Sequence, residues 1–205
     1  MSSEVVFRRR DDGATELRVN GMFVMDDLET TSERRLAQVA LEHGADDVLV
    51  GGLGLGFTVR TLLADTSVKR VLVAELHDEV AVAHRFDDPR LEVVVGDVCD
   101  LVAAQPDAST DAVLLDVDNG PGFLVHPGNA AVYGDEFVAG CARVLRPGGT
   151  LAVWSMADSP ALRATLGSHL TDVRAESVPV RLQSRDEAYW IISARAAPRT
   201  TARRA

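Results

Sequence analysis

At 205 residues and 46% hydrophobic content, the chain is long enough for one domain with a sizeable core. Its formal charge of −10 argues against a nucleic-acid surface, because cations cluster only at Arg8-Arg9-Arg10 and in the last few residues. With no apolar run near about 18 residues and a charged N-terminus, neither a membrane span nor a signal peptide is readable, and a cytoplasmic protein is expected.

Residues 5–7, 17–19 and 22–25 read as short strands, separated by turns at Asp11-Asp12-Gly13 and Asn20-Gly21. Asn-Gly between apolar runs is a strong hairpin signal, since both central residues of a type I′ turn need positive φ. A small N-terminal β-hairpin unit, residues 1–30, is therefore expected before the main domain, 31–195. Thr30, Thr31 and Ser32 offer caps, and Glu33 a first-turn acid, for a helix over 33–43 that carries Leu36, Val39 and Ala40 on one face and ends at Gly44.

The stretch Asp47-Val48-Leu49-Val50 then runs into Gly51-Gly52-Leu53-Gly54-Leu55-Gly56 and on to a helix starting at Phe57. Strand, glycine turn and helix in that order leave the first N–H groups of the helix facing whatever occupies the turn, which suits a nucleotide-type cofactor. A dinucleotide fingerprint would place its third glycine at position 57, which is Phe57; the spacing is instead GxGxG, at Gly52, Gly54 and Gly56. A second strand over 68–75 ends in Glu75, roughly 20 residues further on, where a carboxylate reaches the cofactor's ribose in a doubly wound sheet. A third strand, 91–96, leads into Asp97, and a fourth, 112–115, into Asp116. Acids at such positions also serve as helix caps, and that reading stays open for Asp97 and Asp116.

Helices are predicted near 57–64, 78–85, 98–104, 134–145 and 159–169. Arg146-Pro147-Gly148-Gly149 reads as a helix stop and turn before a fifth strand at 150–154. Strands at 173–180 and 188–194, separated by a polar loop at 183–187, can pair as a hairpin. The predicted fold is α/β: a Rossmann-like, seven-stranded, mostly parallel, doubly wound sheet with an antiparallel last strand. Residues 196–205 have no apolar pattern and are expected to be a disordered tail. Cys99 and Cys141, and histidines 43, 77, 84, 126 and 169, fit no metal-ligand spacing, so no metal site is expected.

The glycine turn resembles motif I of the class I S-adenosylmethionine-dependent methyltransferases. This resemblance implies cofactor contacts from Gly51, Gly52, Gly54, Gly56, Glu75, Leu76, Asp97, Val98 and Asp116, with Asp97 at the adenine amino group. Over residues 17–155 the chain further resembles the spermidine synthases, the polyamine aminopropyltransferases. The likeness lies in Val19-Asn20-Gly21-Met22, Gly51-Gly52, Glu75, Asp88-Pro89-Arg90-Leu91, Gly96-Asp97 and the Leu-Arg-Pro-Gly-Gly run from Leu145.

Departures from that family bear on the reaction. Its glycine turn carries an acid that contacts the aminopropyl end of decarboxylated S-adenosylmethionine, where this chain has Gly54. Its DxxD loop becomes Asp116-Val117-Asp118-Asn119, so the second acid is Asn119. The Gln and the Tyr-His pair that hold the amine become Val24, Thr31 and Ser32. Without an acid at 54, the methionyl carboxylate of intact S-adenosylmethionine meets no repulsion. Methyl transfer from S-adenosylmethionine to a small-molecule acceptor is therefore the first expectation, with Asp116 as general base or anchor. Aminopropyl transfer from decarboxylated S-adenosylmethionine and non-catalytic nucleoside binding are the alternatives. Sixteen residues from Asp118 to Tyr133 lie where open α/β sheets bind ligands, and Asp118, Asn119, Phe123, His126 and Tyr133 are the candidate acceptor contacts, on a loop expected to form a lid. Glu75→Ala and Asp97→Ala are each expected to weaken cofactor binding without unfolding the chain. The exposed edges of the hairpin unit, and the association of spermidine synthases through related surfaces, suggest a homodimer.

Overall fold

The computed structural model describes residues 4–83, 86–124, 127–182 and 185–198. Strands β1 (Val5–Arg9), β2 (Thr15–Val19) and β3 (Met22–Asp26) form a three-stranded antiparallel sheet in that order. Asn20 and Gly21, at φ 52° and 76°, make the tight connection between β2 and β3 that their sequence predicts.

Helix α1 (Thr31–Leu41) begins two residues before its expected start. Thr30 at its N-cap makes no side-chain cap; Glu29 Oε1 accepts from Thr31 N at 2.9 Å instead, and Glu29 Oε2 accepts from Arg181 N at 3.1 Å. One carboxylate thus closes the helix end and ties it to a distant strand. The buried stripe of α1 is Glu33, Leu36, Ala37 and Ala40, the i, i+3, i+4, i+7 repeat of a helix packed on a core.

The main sheet holds β4 (Asp47–Gly51), β5 (Arg70–Glu75), β6 (Leu91–Val95), β7 (Thr110–Leu115), β8 (Leu145–Ser155), β9 (Thr171–Leu182) and β10 (Arg185–Arg195), in the order β6-β5-β4-β7-β8-β10-β9. β10 pairs antiparallel with both β8 and β9, while β4 to β8 are mutually parallel. Between them run α2 (Phe57–Ala64), α3 (Asp78–Ala83), α4 (Val98–Ala104), α5 (Asp135–Val144) and α6 (Pro160–His169).

The period-2 alternation of the strands sorts the core into two layers. Val48, Val50, Val71 and Val73 pack under α1, α2, α3 and the N-terminal sheet, with Leu17, Leu36, Val59, Leu62 and Val80. Leu49, Leu72, Val113 and Leu115 point the other way, to Val98, Val138, Leu162 and Leu166 of α4, α5 and α6. The sheet is therefore doubly wound. Strand order reverses between β4 and β7, and the crevice beyond the carboxyl ends of the strands lies there.

Two boundaries differ from expectation. Arg-Pro-Gly-Gly does not precede a strand but lies within one: Leu145 already pairs with Thr110, and the register shifts before Ala112 meets Thr150. Arg146 turns its guanidinium back to Asp111 Oδ2 at 2.9 Å and Ser109 O at 2.8 Å, which stitches this irregular segment to β7. The final hairpin is also longer than predicted, pairing as far as Leu182 and Arg185; residues 183 and 184 of the expected loop, and 199–205 of the expected tail, lie outside the described residues. Among the described residues no helix is long and apolar enough to cross a membrane.

Candidate active site

The glycine turn between β4 and α2 forms the floor of a cleft enclosing roughly 770 Å³ of empty space, solvent at its mouth included. Gly52 holds φ 87°, and a Cβ there would stand 2.2 Å from the carbonyl oxygen of Asp116, so no other residue fits between β4 and β7. Gly54, at φ 52°, lies under the thioether of Met25, which also accepts from Leu55 N at 3.2 Å. Gly51 and Gly56 frame the turn without bordering the cleft.

Glu75 ends β5 at 7% exposure and is held on both sides: Oε2 accepts from Leu53 N and Oε1 from His77 N, each at 2.9 Å. It thereby sets the shape of the glycine turn. Each carboxylate oxygen has two lone pairs, so one amide on each leaves capacity for hydroxyl groups at the cleft. Asp97 caps α4, its Oδ1 accepting from Cys99 N at 2.8 Å, and borders the same cleft with Leu76 and Val98. The capping and binding readings of Asp97 are thus compatible in one side chain. Leu17, Val19 and Val24 of the N-terminal sheet form the opposite wall.

A second cleft, of roughly 840 Å³, opens beside the first and shares Val24, Gly54, Asp116 and Asp118 with it. Its lining is acidic and aromatic: Asp26, Glu29, Glu33, Asp116 and Asp118 with Phe23, Trp154 and Tyr189, and neither Lys nor Arg among the described residues. Trp154 and Tyr189 pack with ring centroids 4.8 Å apart at 58°, one apolar wall between the carboxylates. Such a surface matches an alkyl chain bearing cationic nitrogen.

Asp116 stands where the two clefts meet. Its Oδ2 accepts from the hydroxyl of Thr58 at 2.7 Å, and the same hydroxyl lies 3.2 Å from the carbonyl oxygen of Glu33. Burial raises the Asp116 carboxyl to about 6; the Thr58 hydrogen bond opposes this and the charge of Glu75 adds to it. Glu33, 6% exposed, is pushed up to about 7 by burial and then by Asp116, with the hydroxyl of Ser32 on its Oε2 at 2.9 Å.

The structure brings Gly52, Gly54, Glu75, Leu76, Asp97, Val98 and Asp116 to the first cleft and Asp118 and Asn119 to the second. Asp118, at φ 60°, accepts from Asn119 N and from Asn129 Nδ2, each at 3.0 Å. It does not bring in Phe123, which is 53% exposed and borders neither cleft, nor Tyr133, which is buried and donates its hydroxyl to Val117 O at 2.8 Å. Tyr133 braces the loop from behind; the same burial drives its phenol well above the ordinary range. His126 lies outside the described residues. The wall over both clefts is therefore largely the N-terminal sheet, with the expected lid contributing Asp118, Asn119 and Asn129. Sequence reasoning missed Asp26, Glu29, Glu33, Trp154 and Tyr189. A signal existed for Glu33: it is the one charge on the apolar stripe of α1.

No family model matches the chain. It is 33% identical over 171 residues to polyamine aminopropyltransferase 2 of Pseudomonas aeruginosa, which covers 72% of this chain and 46% of that one. It is 30% identical over 148 residues to polyamine aminopropyltransferase of Aeropyrum pernix, covering 65% and 42%. Putrescine N-methyltransferase 1 of Nicotiana tabacum is 30% identical over 113 residues, covering 51% and 29%. The chain thus spans less than half the length of these relatives. A crystal structure of spermidine synthase in complex with the transition state analogue AdoDATO matches 96% of this chain and 71% of its own with a TM-score of 0.81 at 18% identity. Spermidine synthase from Thermotoga maritima gives 0.78.

Proposed function

We infer that this chain, spermidine synthase-like in sequence and fold, is a transferase that moves the aminopropyl group of decarboxylated S-adenosylmethionine to an amine. The observation that carries this reading is the continuity of the two clefts at Asp116, one shaped for a nucleoside and the other acidic, aromatic and without a cationic side chain among its described lining residues. Glu75 and Asp97 would hold the nucleoside by their remaining acceptor capacity, and the backbone of the glycine turn would lie under its side chain. When bound, the cofactor supplies a sulfonium-activated carbon. The chain aligns a nitrogen with that carbon, and such alignment provides most of the acceleration in a displacement of this kind. An amine reaches the site as a cation and must lose a proton before it attacks. Asp116, at the junction, is the base placed to accept it.

The order of the readings reverses the one expected from Gly54 and Asn119. The carboxylate missing from the Asp116 loop has a counterpart in Glu33, so the acceptor site keeps the paired acids that an amine calls for, supplied by α1 rather than by the loop. The polyamine aminopropyltransferases among the relatives support the same choice. Methyl transfer to an amine remains the second reading, favoured by Gly54 and by the putrescine N-methyltransferases. Incubation with putrescine and either cofactor, followed by mass spectrometry, separates them. Spermidine and methylthioadenosine from the decarboxylated cofactor are expected. N-methylputrescine from S-adenosylmethionine would promote the second reading, and no product from any amine tried would remove both.

A further inference from the structure

We propose that Glu33 and Asp116 hold one proton between them in the unliganded protein and exchange it for the ammonium group of the acceptor, so that amine binding expels a proton to solvent. This assigns Glu33 a direct part in acceptor binding and rests on the amine-acceptor reading above. The two carboxyls come from different elements, α1 and the loop after β7, and meet across one cleft lined without a cation among the described residues. Thr58 ties the two residues together, its hydroxyl on Asp116 Oδ2 at 2.7 Å and 3.2 Å from the backbone oxygen of Glu33. Two carboxylates confined in this way do not both ionise without a counter-charge, as like charges in a poorly hydrated site raise one of the pair.

Among the described residues, every other titratable side chain lining the cleft with the pair is acidic. Glu29 approaches from the start of α1, Asp26 from β3, Asp118 from the loop after β7 and Tyr189 from β10, while Glu75 lies behind Asp116. Three of these carboxylates already have donors: Arg10 on Asp26 at 2.9 Å, the Thr31 and Arg181 amides on Glu29, and the Asn129 amide on Asp118. Glu33 has the Ser32 hydroxyl and Asp116 the Thr58 hydroxyl, which are neutral donors. Burial and then the charge of Asp116 push Glu33 up to about 7, and burial pushes Asp116 up to about 6, so the pair retains a proton towards neutrality.

In the binding step the protonated pair and an alkylammonium give two carboxylates bridged by that ammonium, plus one proton in solvent. No bond to carbon changes. Asp116 is then left charged and in contact with the nitrogen, the state in which it can accept the nitrogen's own proton during transfer.

The test is calorimetric titration of putrescine into the protein saturated with methylthioadenosine, at pH 6.5, in two buffers of different ionisation enthalpy. Release approaching one proton per amine is expected, falling towards zero at pH 8.5. Glu33→Gln should lose the release while methylthioadenosine affinity, read in the same experiment, shows that the variant is folded; Glu33→Asp should restore it in part. Should Glu33→Gln fail to fold, infrared difference spectra of the wild type across pH 5 to 8.5 report the protonated carboxyl directly, without any amine. Putrescine binding with no proton release, or release unchanged in Glu33→Gln, or no carboxyl protonation within that range, would overturn the proposal while leaving the transfer reading intact. Failure of every amine to bind would instead remove the transfer reading, and the exchange with it.

Discussion

Glu33 opposes folding as the pH rises, because a carboxyl on the buried stripe of a helix is tolerated only while it is neutral. Its ordinary value is 4.5 and its value in the fold is about 7. Below the first value both folded and unfolded chains carry the proton and the group has no effect; between the two the unfolded chain gains charge that the folded one resists; above 7 the whole penalty is present. At about 1.4 kcal/mol per pH unit, the penalty is on the order of 3 kcal/mol. Glu33→Gln is therefore expected to raise the melting temperature at pH 8 and to leave it nearly unchanged at pH 5; equal shifts at both pH values in scanning calorimetry would contradict this. Glu75 supports the fold directly, since its carboxylate accepts from two backbone donors. Glu75→Ala, expected to weaken cofactor binding without unfolding the chain, also carries a cost in stability. Leu53 N and His77 N would each lose a partner, at about 1–3 kcal/mol apiece. Denaturant titration should show a larger loss for Glu75→Ala than for Asp97→Ala, which removes a single helix cap worth about 1 kcal/mol.

At the scale of elements, the strand-turn-helix unit was legible because each part carries its own local signal: β-branched alternation in Val48 and Val50, glycine where φ is positive, and a helix from Phe57. What covers that unit was not legible. Met25 reaches Gly54 from β3 across nearly thirty residues of chain, and neither periodicity nor turn chemistry reports such a contact. Its consequence is specific. A Cβ at position 54 would stand 2.7 Å from the Met25 sulfur, so an acid introduced there meets a thioether. The obstacle is the far end of a flexible side chain, and Asp tolerates positive φ better than most residues. Gly54→Asp alone is expected to weaken binding of both cofactor forms, whereas Gly54→Asp combined with Met25→Ala should favour decarboxylated over intact S-adenosylmethionine by about tenfold or more, which needs only about 1.4 kcal/mol. Competitive binding measurements on both variants decide the matter; an equal preference in the single and the double variant would show that Met25 has no part in it.

For the molecule as a whole, the sheet order and its helices followed from the alternation of β and α signals, and the first cleft followed from the acids at strand ends. The second cleft could not be read in this way, because it is assembled from β3, α1, the loop after β7, β8 and β10, residues as far apart as Phe23 and Tyr189 whose convergence is a property of the topology. Charge is where composition and site meet. A formal charge of −10 on 205 residues, with five carboxyl side chains lining one cleft, surrounds that cleft with a negative field that attracts cations at long range. Salt screens such a field, with a Debye length of about 10 Å at 0.1 M and about 3 Å at 1 M. A diamine carrying two charges feels it more strongly than a monoamine of equal length. Raising the ionic strength from low salt to 1 M is thus expected to increase the apparent KM for putrescine severalfold and that for butylamine less, with the affinity for methylthioadenosine almost unchanged. Steady-state kinetics with the two amines across the salt series provide the measurement. If both amines and the nucleoside shift alike, the acidity of the second cleft plays no part in drawing the acceptor in.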